Sequence, residues 1–241
     1  MSDESILRDR LATCTRILAM QGLLGLFGHV SVYQPESRRI LISPGGGGDK
    51  ANMQAGDLAV IDPDGNLLDG TGPVPVEWPI HTSLHAARGD ALAVAHLHAP
   101  YSTLFAIARH EFHPVTLQAA PFSGGLPVYP EAQLITTPDR GQRLVRLMEN
   151  KRAVLLRAHG IAVIGGDIEE MLYASLVLED DARKATQAAA LGEIVSVTEE
   201  ECHAFRAEMD LSYLARRAWD YFSQLERRWD RQAASAMGPL A

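Results

Sequence analysis

The sequence predicts an α/β protein with a largely antiparallel sheet, and three observations lead to this prediction. Short segments with alternating apolar residues flank the turn residues 34–37 and 62–65, a pattern typical of antiparallel hairpins. Apolar residues recur every three or four positions between Ile6 and Leu18 and between Leu211 and Trp229, which indicates helices. The 241 residues are 46% hydrophobic, so the chain can bury a sizeable core, and we expect one domain over residues 1–241.

Local signals set the bounds of each element. Gly22 and Gly89 end the first two helices, and Pro79 suits the first turn of the second. Pro100 cannot continue a strand ladder, so it ends the apolar strand before it. In chain order the sequence predicts a helix over residues 6–18, strands over 30–32, 40–42, 58–61 and 66–68, a helix over 77–89, a strand over 91–99, a helix over 100–108, strands over 153–156 and 161–164, and helices over 168–192 and 211–229.

Charge and composition exclude several classes of partner. The net charge is -8 with a pI of about 5.6, and the 22 lysines and arginines are dispersed, so we expect no binding to nucleic acid or to anionic membranes. The first residues lack the pattern of a signal peptide, and no apolar run is long enough to span a bilayer, which predicts a cytoplasmic protein. Cys14 and Cys202 are too few and too far apart for a disulfide framework or a zinc knuckle, so both are interpreted as structural.

Four residues form a candidate metal site. His96 and His98 lie two apart on a predicted strand, so they share a face with Cα atoms roughly 6.5–7 Å apart and can close on one ion. At this point a pair of buried core histidines is an equal alternative. His159 lies in a turn between two apolar strands, and Glu77 begins a helix, where its carboxylate could bind a metal or move protons. Three imidazoles and a displaceable carboxylate leave room for a substrate, as a catalytic metal requires.

An ordered set of motifs gives the sequence a resemblance to the class II aldolase and adducin family over roughly residues 5–200. The resemblance implies a three-layer α/β/α fold and a homotetramer that acts on a small-molecule substrate, with each cleft near a subunit boundary. It also implies that His96, His98 and His159 bind a divalent metal, usually zinc, with manganese or cobalt possible, and that Glu77 is the catalytic acid/base. The motifs that carry the resemblance are Gly28-His29-Val30-Ser31-Val32, Leu41-Ile42-Ser43-Pro44-Gly45, Glu77-Trp78-Pro79-Ile80-His81, His96-Leu97-His98 and Leu155-Leu156-Arg157-Ala158-His159-Gly160.

The sequence departs from the family's aldolases where they hold phosphate. Pro75 and Val76 stand in place of two serines, Gly45 in place of a hydroxyl residue, and Leu117 near the place of a tyrosine from a neighbouring subunit. Two phosphate contacts are therefore missing, which disfavours a phosphorylated sugar. Ser43, Gly45 and Gly46 remain candidate substrate-binding residues, because the glycine run 45–48 could offer backbone N–H groups to an anion; a flexible loop is the alternative.

The remaining departure concerns catalysis. His29 replaces the aldolases' asparagine, and beside a metal it could hold a carboxylate or share in proton transfer; a structural histidine is the alternative. These features resemble the family branch that decarboxylates hydroxylated aromatic or pyridine dicarboxylates, such as dihydroxyphthalate, in aromatic catabolism. A metal-dependent lyase, preferably a decarboxylase with Glu77 and His29 as its catalytic residues, is the leading hypothesis. A sugar-phosphate aldolase or epimerase is the alternative, and a non-catalytic adducin-like binding module ranks lower because a scaffold needs no such ligand set.

Other polar residues receive structural interpretations. His81 and His85 share the helix face that follows Glu77, and His81 is interpreted as a packed or site-orienting residue instead of a ligand. His110 and His113 are assigned mainly to the surface, and entry into a neighbouring subunit's active site is the alternative. The run 179–184 is interpreted as a solvated helix face, and the apolar stripe over 211–229 as packing against the chain's own core or a neighbouring subunit.

Overall fold

The computed structural model describes residues 3–237, with side chains described for residues 4–229. The strands are β1 (His29–Gln34), β2 (Arg39–Ile42), β3 (Ala59–Ile61), β4 (Leu67–Asp69), β5 (Ala93–Leu97), β6 (Val128–Tyr129), β7 (Ala153–Leu156) and β8 (Gly160–Gly165). The α-helices are α1 (Asp3–Met20), α2 (Trp78–Ala87), α3 (Ser102–Ala108), α4 (Pro138–Met148), α5 (Ile168–Ala188), α6 (Glu199–Glu208) and α7 (Leu211–Met237). Short 3-10 helices cover Lys50–Asn52, Ala55–Asp57 and Leu117–Phe122.

The eight strands form one sheet in the order β4-β3-β2-β1-β5-β8-β7-β6. Every neighbouring pair is antiparallel except β6 and β7. The predicted, largely antiparallel sheet is confirmed. β6, α4 and α6 were not among the predicted elements.

Side-chain alternation along the strands builds a core on each face of the sheet. In β5, Ala93, Ala95 and Leu97 pack with α1 and α5, whereas Val94 packs with α2 and α4 on the opposite face. The result is the three-layer α/β/α arrangement that the resemblance implies. Even-numbered residues of β5, including His96, therefore face the α2 side.

The centre of the sheet fixes the register of the histidines. β1 and β5 pair so that His29 and His96 lie directly opposite each other, and β5 and β8 pair His96 with Ala162. His98 lies one residue beyond the end of β5, where the chain leaves the sheet. The candidate site therefore forms at one end of three adjacent central strands.

Two acidic residues of α5 correct the interpretation of residues 179–184 as a solvated face. Asp181 is fully buried and Glu179 nearly so. Glu179 accepts hydrogen bonds from the backbone N–H groups of Tyr101 and Ser102, and Asp181 accepts those of Val115 and Thr116. Both carboxylates thus anchor loops that are distant in sequence, whereas Asp180, Arg183 and Lys184 form a half-exposed ion-pair cluster.

The C-terminal helix and the cysteines keep structural roles. α7 packs against α5 and α1, and its predicted apolar stripe is half-buried as far as residue 225. Glu226 is buried and forms an ion pair with Arg16 of α1 at 2.6 Å. Cys14 and Cys202 are both buried free thiols. None of the helices in residues 3–237 is both long and apolar enough to cross a membrane.

Candidate metal centre and active site

Three imidazoles converge at the end of the central strands. One ligand nitrogen each from His96, His98 and His159 lies within 4.8 Å of the other two. The ring centroids are 4.8–5.1 Å apart, and the rings meet edge to face. The structure thus brings together the three histidines that the sequence predicts as ligands.

Local structure holds each imidazole in place. His96 Nδ1 lies 3.1 Å from the Ile161 carbonyl, to which it can only donate, so Nε2 keeps its lone pair. His98 stacks on Phe27 with ring centroids 5.3 Å apart. His159 follows Ala158, which has a φ of 55°, and precedes Gly160, where a Cβ atom would come within 2.2 Å of the Leu97 carbonyl. Only glycine permits this close approach of β8 to β5.

Three imidazole nitrogens of this cluster have no hydrogen bond to another described residue. They are His96 Nε2 and both ring nitrogens of His159, and all three are buried. Buried polar atoms are rarely left unpaired, because losing water without a replacement partner costs free energy. A divalent ion held by neutral imidazoles would supply the missing partner. Metal-binding histidines usually donate a hydrogen bond from their other ring nitrogen, as His96 Nδ1 does to the Ile161 carbonyl. The donor set therefore fits a metal.

Glu77 completes the cluster from the α2 side of the sheet. It is the residue immediately before α2, and its Oε1 accepts the Ile135 N–H at 2.8 Å. Its Oε2 lies 3.4 Å from His96 Nε2 and 3.3 Å from His159 Nε2. Burial alone would raise the pKa of Glu77, but the two imidazoles and the Ile135 N–H outweigh it and hold the pKa well below its usual range. The carboxylate is therefore ionised at neutral pH.

A series of hydrogen-bonded side chains extends from the cluster of His96, His98 and His159 into the space between β1 and α2. His29 Nδ1 contacts His81 Nε2 at 2.6 Å, and His81 Nδ1 contacts Ser31 Oγ at 2.6 Å. Ser31 Oγ contacts His85 Nε2 at 2.8 Å, and His85 Nδ1 contacts the Ala91 carbonyl at 2.5 Å. We call this series the histidine chain.

The carbonyl at its end fixes the direction of every bond in the histidine chain. Burial lowers the pKa values of His29 and His81 well below the usual range and that of His85 to about 4, so all three are neutral at pH 7. The Ala91 carbonyl can only accept, so His85 donates from Nδ1 and accepts the Ser31 hydroxyl proton at Nε2. Ser31 then accepts from His81, and His81 accepts from His29. His29 is left with its proton on Nδ1 and a lone pair on Nε2.

The histidine cluster opens into a cleft of about 620 Å³. His29, Glu77, His98 and His159 line its polar end. The remaining wall is mostly apolar, and four of its side chains are about half or more exposed: Leu26, Phe27, Val76 and Leu134. The cleft thus combines a histidine cluster with a broad apolar surface.

The three predicted substrate-binding residues are placed differently relative to the cleft. Gly46 lines the cleft and has a φ of 89°. Gly45 also lines it, but its N–H donates to the Pro73 carbonyl at 2.8 Å and is not free to bind an anion. Ser43 is fully buried, its Oγ accepts the Val30 N–H, and it does not line the cleft. Ser43 therefore supports the pairing of β1 with β2, and a contact with substrate stays a prediction.

Sequence reasoning missed two residues of the site. Ser31 joins the two α2 histidines of the histidine chain, and Lys50 lines the cleft. Ser31 lies two residues after His29 on the same strand face, and this spacing could have indicated that Ser31 belongs to the site. His81 and His85 are buried, in line with the packed position expected of His81, whereas His110 and His113 are exposed.

Comparison with known proteins places the chain among characterised relatives. The sequence profile described as Class II Aldolase and Adducin N-terminal domain matches residues 9–186. A 3,4-dihydroxyphthalate decarboxylase of Arthrobacter keyseri is 27% identical over 239 residues, covering 92% of this chain and 95% of the relative. A 3,4-dihydroxyphthalate decarboxylase of Terrabacter sp. strain DBF63 is 30% identical over 198 residues, covering 77% and 82%. The solved structure of an L-fuculose 1-phosphate aldolase from Glaciozyma antarctica PI12 has a TM-score of 0.82 at 20% identity, covering 96% of this chain and 92% of that one, and shares the fold.

Proposed function

Because this chain belongs to the class II aldolase and adducin family, we propose that it is a divalent-metal-dependent lyase that decarboxylates a hydroxylated aromatic or pyridine dicarboxylate. Family membership, which the motifs predict, is confirmed, and decarboxylases are among the relatives. The compound for which these relatives are named, 3,4-dihydroxyphthalate, belongs to the proposed class of substrates.

The apolar wall of the cleft is the observation that carries the proposal. Exposed Leu26, Phe27, Val76 and Leu134 surround the polar end of the cleft, where a planar aromatic ring could bury its faces. A sugar phosphate presents hydroxyl and phosphate groups, which need hydrogen-bond partners. Val76 carries no hydroxyl, and the Gly45 N–H is already bonded, so two such partners are missing.

His96, His98 and His159 would hold the metal, with zinc preferred and manganese or cobalt accepted because imidazole suits all three. When bound, the ion supplies a Lewis acid for the negative charge that develops on two adjacent substrate oxygens as the carbon–carbon bond breaks. These oxygens are adjacent ring hydroxyls, or a hydroxyl and its ortho carboxylate. The chain's own residues provide the proton transfers.

The ring carbon that bears the departing carboxylate first receives one proton, which converts the ring to its keto form, and the carbon–carbon electron pair then passes to the ring oxygen as carbon dioxide leaves. Glu77 is ionised, so it first accepts a proton from a substrate hydroxyl and then donates it to that carbon. The Ile135 N–H fixes Oε1 and leaves Oε2 beside the histidine cluster for this transfer. His29, with its Nε2 lone pair facing the cleft, shares in proton transfer or positions a substrate carboxylate.

We extend the proposal to assembly and cellular role. A homotetramer with each cleft near a subunit boundary would cover exposed apolar side chains at the rim of the cleft. A cytoplasmic location and a role in aromatic catabolism complete the proposal, with a small molecule as substrate and neither nucleic acid nor membrane as partner.

The decisive experiment compares two products. The zinc-, manganese- or cobalt-loaded protein is incubated with a panel of hydroxyaryl and hydroxypyridine dicarboxylates, and carbon dioxide release is measured. Aldehyde release from a panel of sugar phosphates is measured in parallel. We expect carbon dioxide from at least one aromatic acid. Faster cleavage of a sugar phosphate would overturn this proposal and identify the protein as an aldolase.

A further inference from the structure

The cleft contains a lysine that the proposed reaction does not use. Lys50 begins the 3-10 helix after the glycine run, and it is only 5% exposed. Its Nζ donates to the Gly25 carbonyl at 3.1 Å and to the Leu26 carbonyl at 3.2 Å. It lines the same cleft as His29, Glu77 and the histidine cluster.

Lys50 has no anionic partner within residues 4–229. Among the described residues its hydrogen bonds go only to the two neutral carbonyls, and an ammonium has three N–H donors, so one donor is uncommitted. The neighbouring Asp49 directs its carboxylate to the Ala51 N–H and the Asn52 side chain instead. Burial lowers the pKa of Lys50, as expected for a cation removed from water without a counter-ion.

The two other lysines of the chain are placed differently. Lys184 forms an ion pair with Asp180 on the outer part of α5. Lys151 donates to the Ser123 and Gly124 carbonyls, a bonding pattern like that of Lys50, but it lies outside the cleft. Lys50 is therefore the lysine whose charge a ligand in the cleft would neutralise.

We propose that Lys50 binds a carboxylate of the substrate and selects aromatic acids over their uncharged analogues. This inference rests on the proposed function and names the residue that recognises the acid group. The group it holds is the carboxylate that the reaction leaves in place. A cation bound to the departing carboxylate would stabilise the starting state and oppose the loss of carbon dioxide.

A pair of probes isolates the contribution of the carboxylate. 3,4-Dihydroxybenzoate and catechol share two adjacent hydroxyls and differ only in one carboxylate. Their dissociation constants are measured by calorimetry on the zinc-loaded protein, on Lys50→Met and on Lys151→Met. Lys151→Met is the matched control because it also removes two lysine hydrogen bonds to neighbouring loop carbonyls, those of Ser123 and Gly124, but outside the cleft.

We expect the unmodified protein and Lys151→Met to bind dihydroxybenzoate about 10-fold or more tighter than catechol, the scale of one charge-assisted hydrogen bond. Lys50→Met should bind the two probes equally, and Lys50→Arg, which keeps the charge, should recover part of the preference. Equal binding by the unmodified protein, or a preference that survives in Lys50→Met, would overturn the assignment.

A measurement on the unmodified protein keeps the test independent of the variant's folding. With only three lysines in the chain, each ε-¹⁵N signal can be followed separately by NMR. Dihydroxybenzoate should shift the Lys50 signal more than catechol does, and leave those of Lys151 and Lys184 in place; no such difference would also refute the role. Carbon dioxide release is measured separately, which distinguishes the two proposals. If the preference for dihydroxybenzoate depends on Lys50 but no carbon dioxide is released, only the decarboxylase proposal is rejected. If carbon dioxide is released but Lys50→Met keeps the preference, only the role of Lys50 is rejected.

Discussion

Two histidine groups lie side by side in this protein, and they differ in how their nitrogens are satisfied. In the cluster of His96, His98 and His159, His96 Nε2 and both ring nitrogens of His159 form no hydrogen bond with another described residue, although Glu77 Oε2 lies 3.3–3.4 Å from the two Nε2 atoms. In the histidine chain, each step from His29 to the Ala91 carbonyl is hydrogen-bonded. Both groups are largely buried, so burial does not distinguish them. The unpaired group is therefore suited to receive a ligand, whereas the hydrogen bonds of the histidine chain hold His29 in one orientation.

The largest effect should come from removing a member of the unpaired cluster. We expect His96→Ala, His98→Ala and His159→Ala each to lose stoichiometric metal and essentially all activity, because two imidazoles leave an incomplete ligand set. Metal content after reconstitution and desalting checks this. His81→Ala, from the histidine chain, should retain the metal. Full metal occupancy in one of the first three variants would remove that residue from the ligand set.

Glu77→Gln should produce the next largest effect. The amide keeps the shape and an oxygen for the Ile135 N–H but cannot carry the proton, so kcat should fall by on the order of 10²- to 10⁴-fold with the metal still bound. Steady-state kinetics and metal analysis test the two parts. Glu111→Gln, at an exposed position, is the control. A kcat close to that of the unmodified protein would rule out proton transfer by Glu77.

His29 lies at the boundary between the two groups, so its replacement tests which group it serves. His29→Asn should lower decarboxylation by on the order of 10²-fold, the scale of one acid/base group, and should not release the metal. His113→Asn makes the same change at the surface and should be neutral. If His29→Asn instead loses the metal, His29 belongs with the ligands, consistent with the second group of closely spaced ligand atoms formed by His29, Glu77 and His96.

The smallest effect should come from breaking the histidine chain at its centre. Ser31→Ala removes the hydroxyl that bridges His81 and His85, so we expect a loss of about 1–3 kcal/mol in the free energy of unfolding and a fall in kcat of about 10-fold. Imidazole ¹⁵N NMR of the metal-free protein should show His29 protonated at Nδ1 before the change and a mixture of tautomers after it.

Ser175→Ala is the matched control for this variant. Ser175 is also fully buried, but its hydroxyl bonds to the Met171 carbonyl of its own helix, away from the site. It should leave the His29 tautomer unchanged. An unchanged tautomer in Ser31→Ala would show that the histidine chain does not set the protonation of His29.

The predictability of the two groups from sequence differs for a physical reason. His96 and His98 share a strand, so alternation alone places them on one face, and the turn around His159 brings it to the same end of the sheet. The histidine chain requires β1 to pack against α2 in one particular register, which no local pattern specifies. The residues alone made His159 a candidate ligand and Glu77 a candidate for metal binding or proton transfer, and the resemblance then assigned one role to each.

Long-range hydrogen bonds explain the remaining errors. The sequence around Glu179 and Asp181 has the charge density of a solvated helix, but both carboxylates bind backbone N–H groups more than 60 residues away. Lys50 escaped notice because its placement depends on how the glycine-rich segment folds back onto residues 25 and 26. Such contacts are set by tertiary packing and leave no periodic signal.

The pairing of β5 with β1 and β8 also sets the time at which the cleft can form during folding. His29, His96 and His159 come from segments 67 and 63 residues apart in the chain. Contacts between such distant segments close slowly, because the entropy of the intervening loops must be lost before pairing stabilises them. A nascent chain that has emerged only past β5 carries two of the three ligand imidazoles but has no cleft. We therefore expect metal capture to wait until translation has delivered His159 and β8.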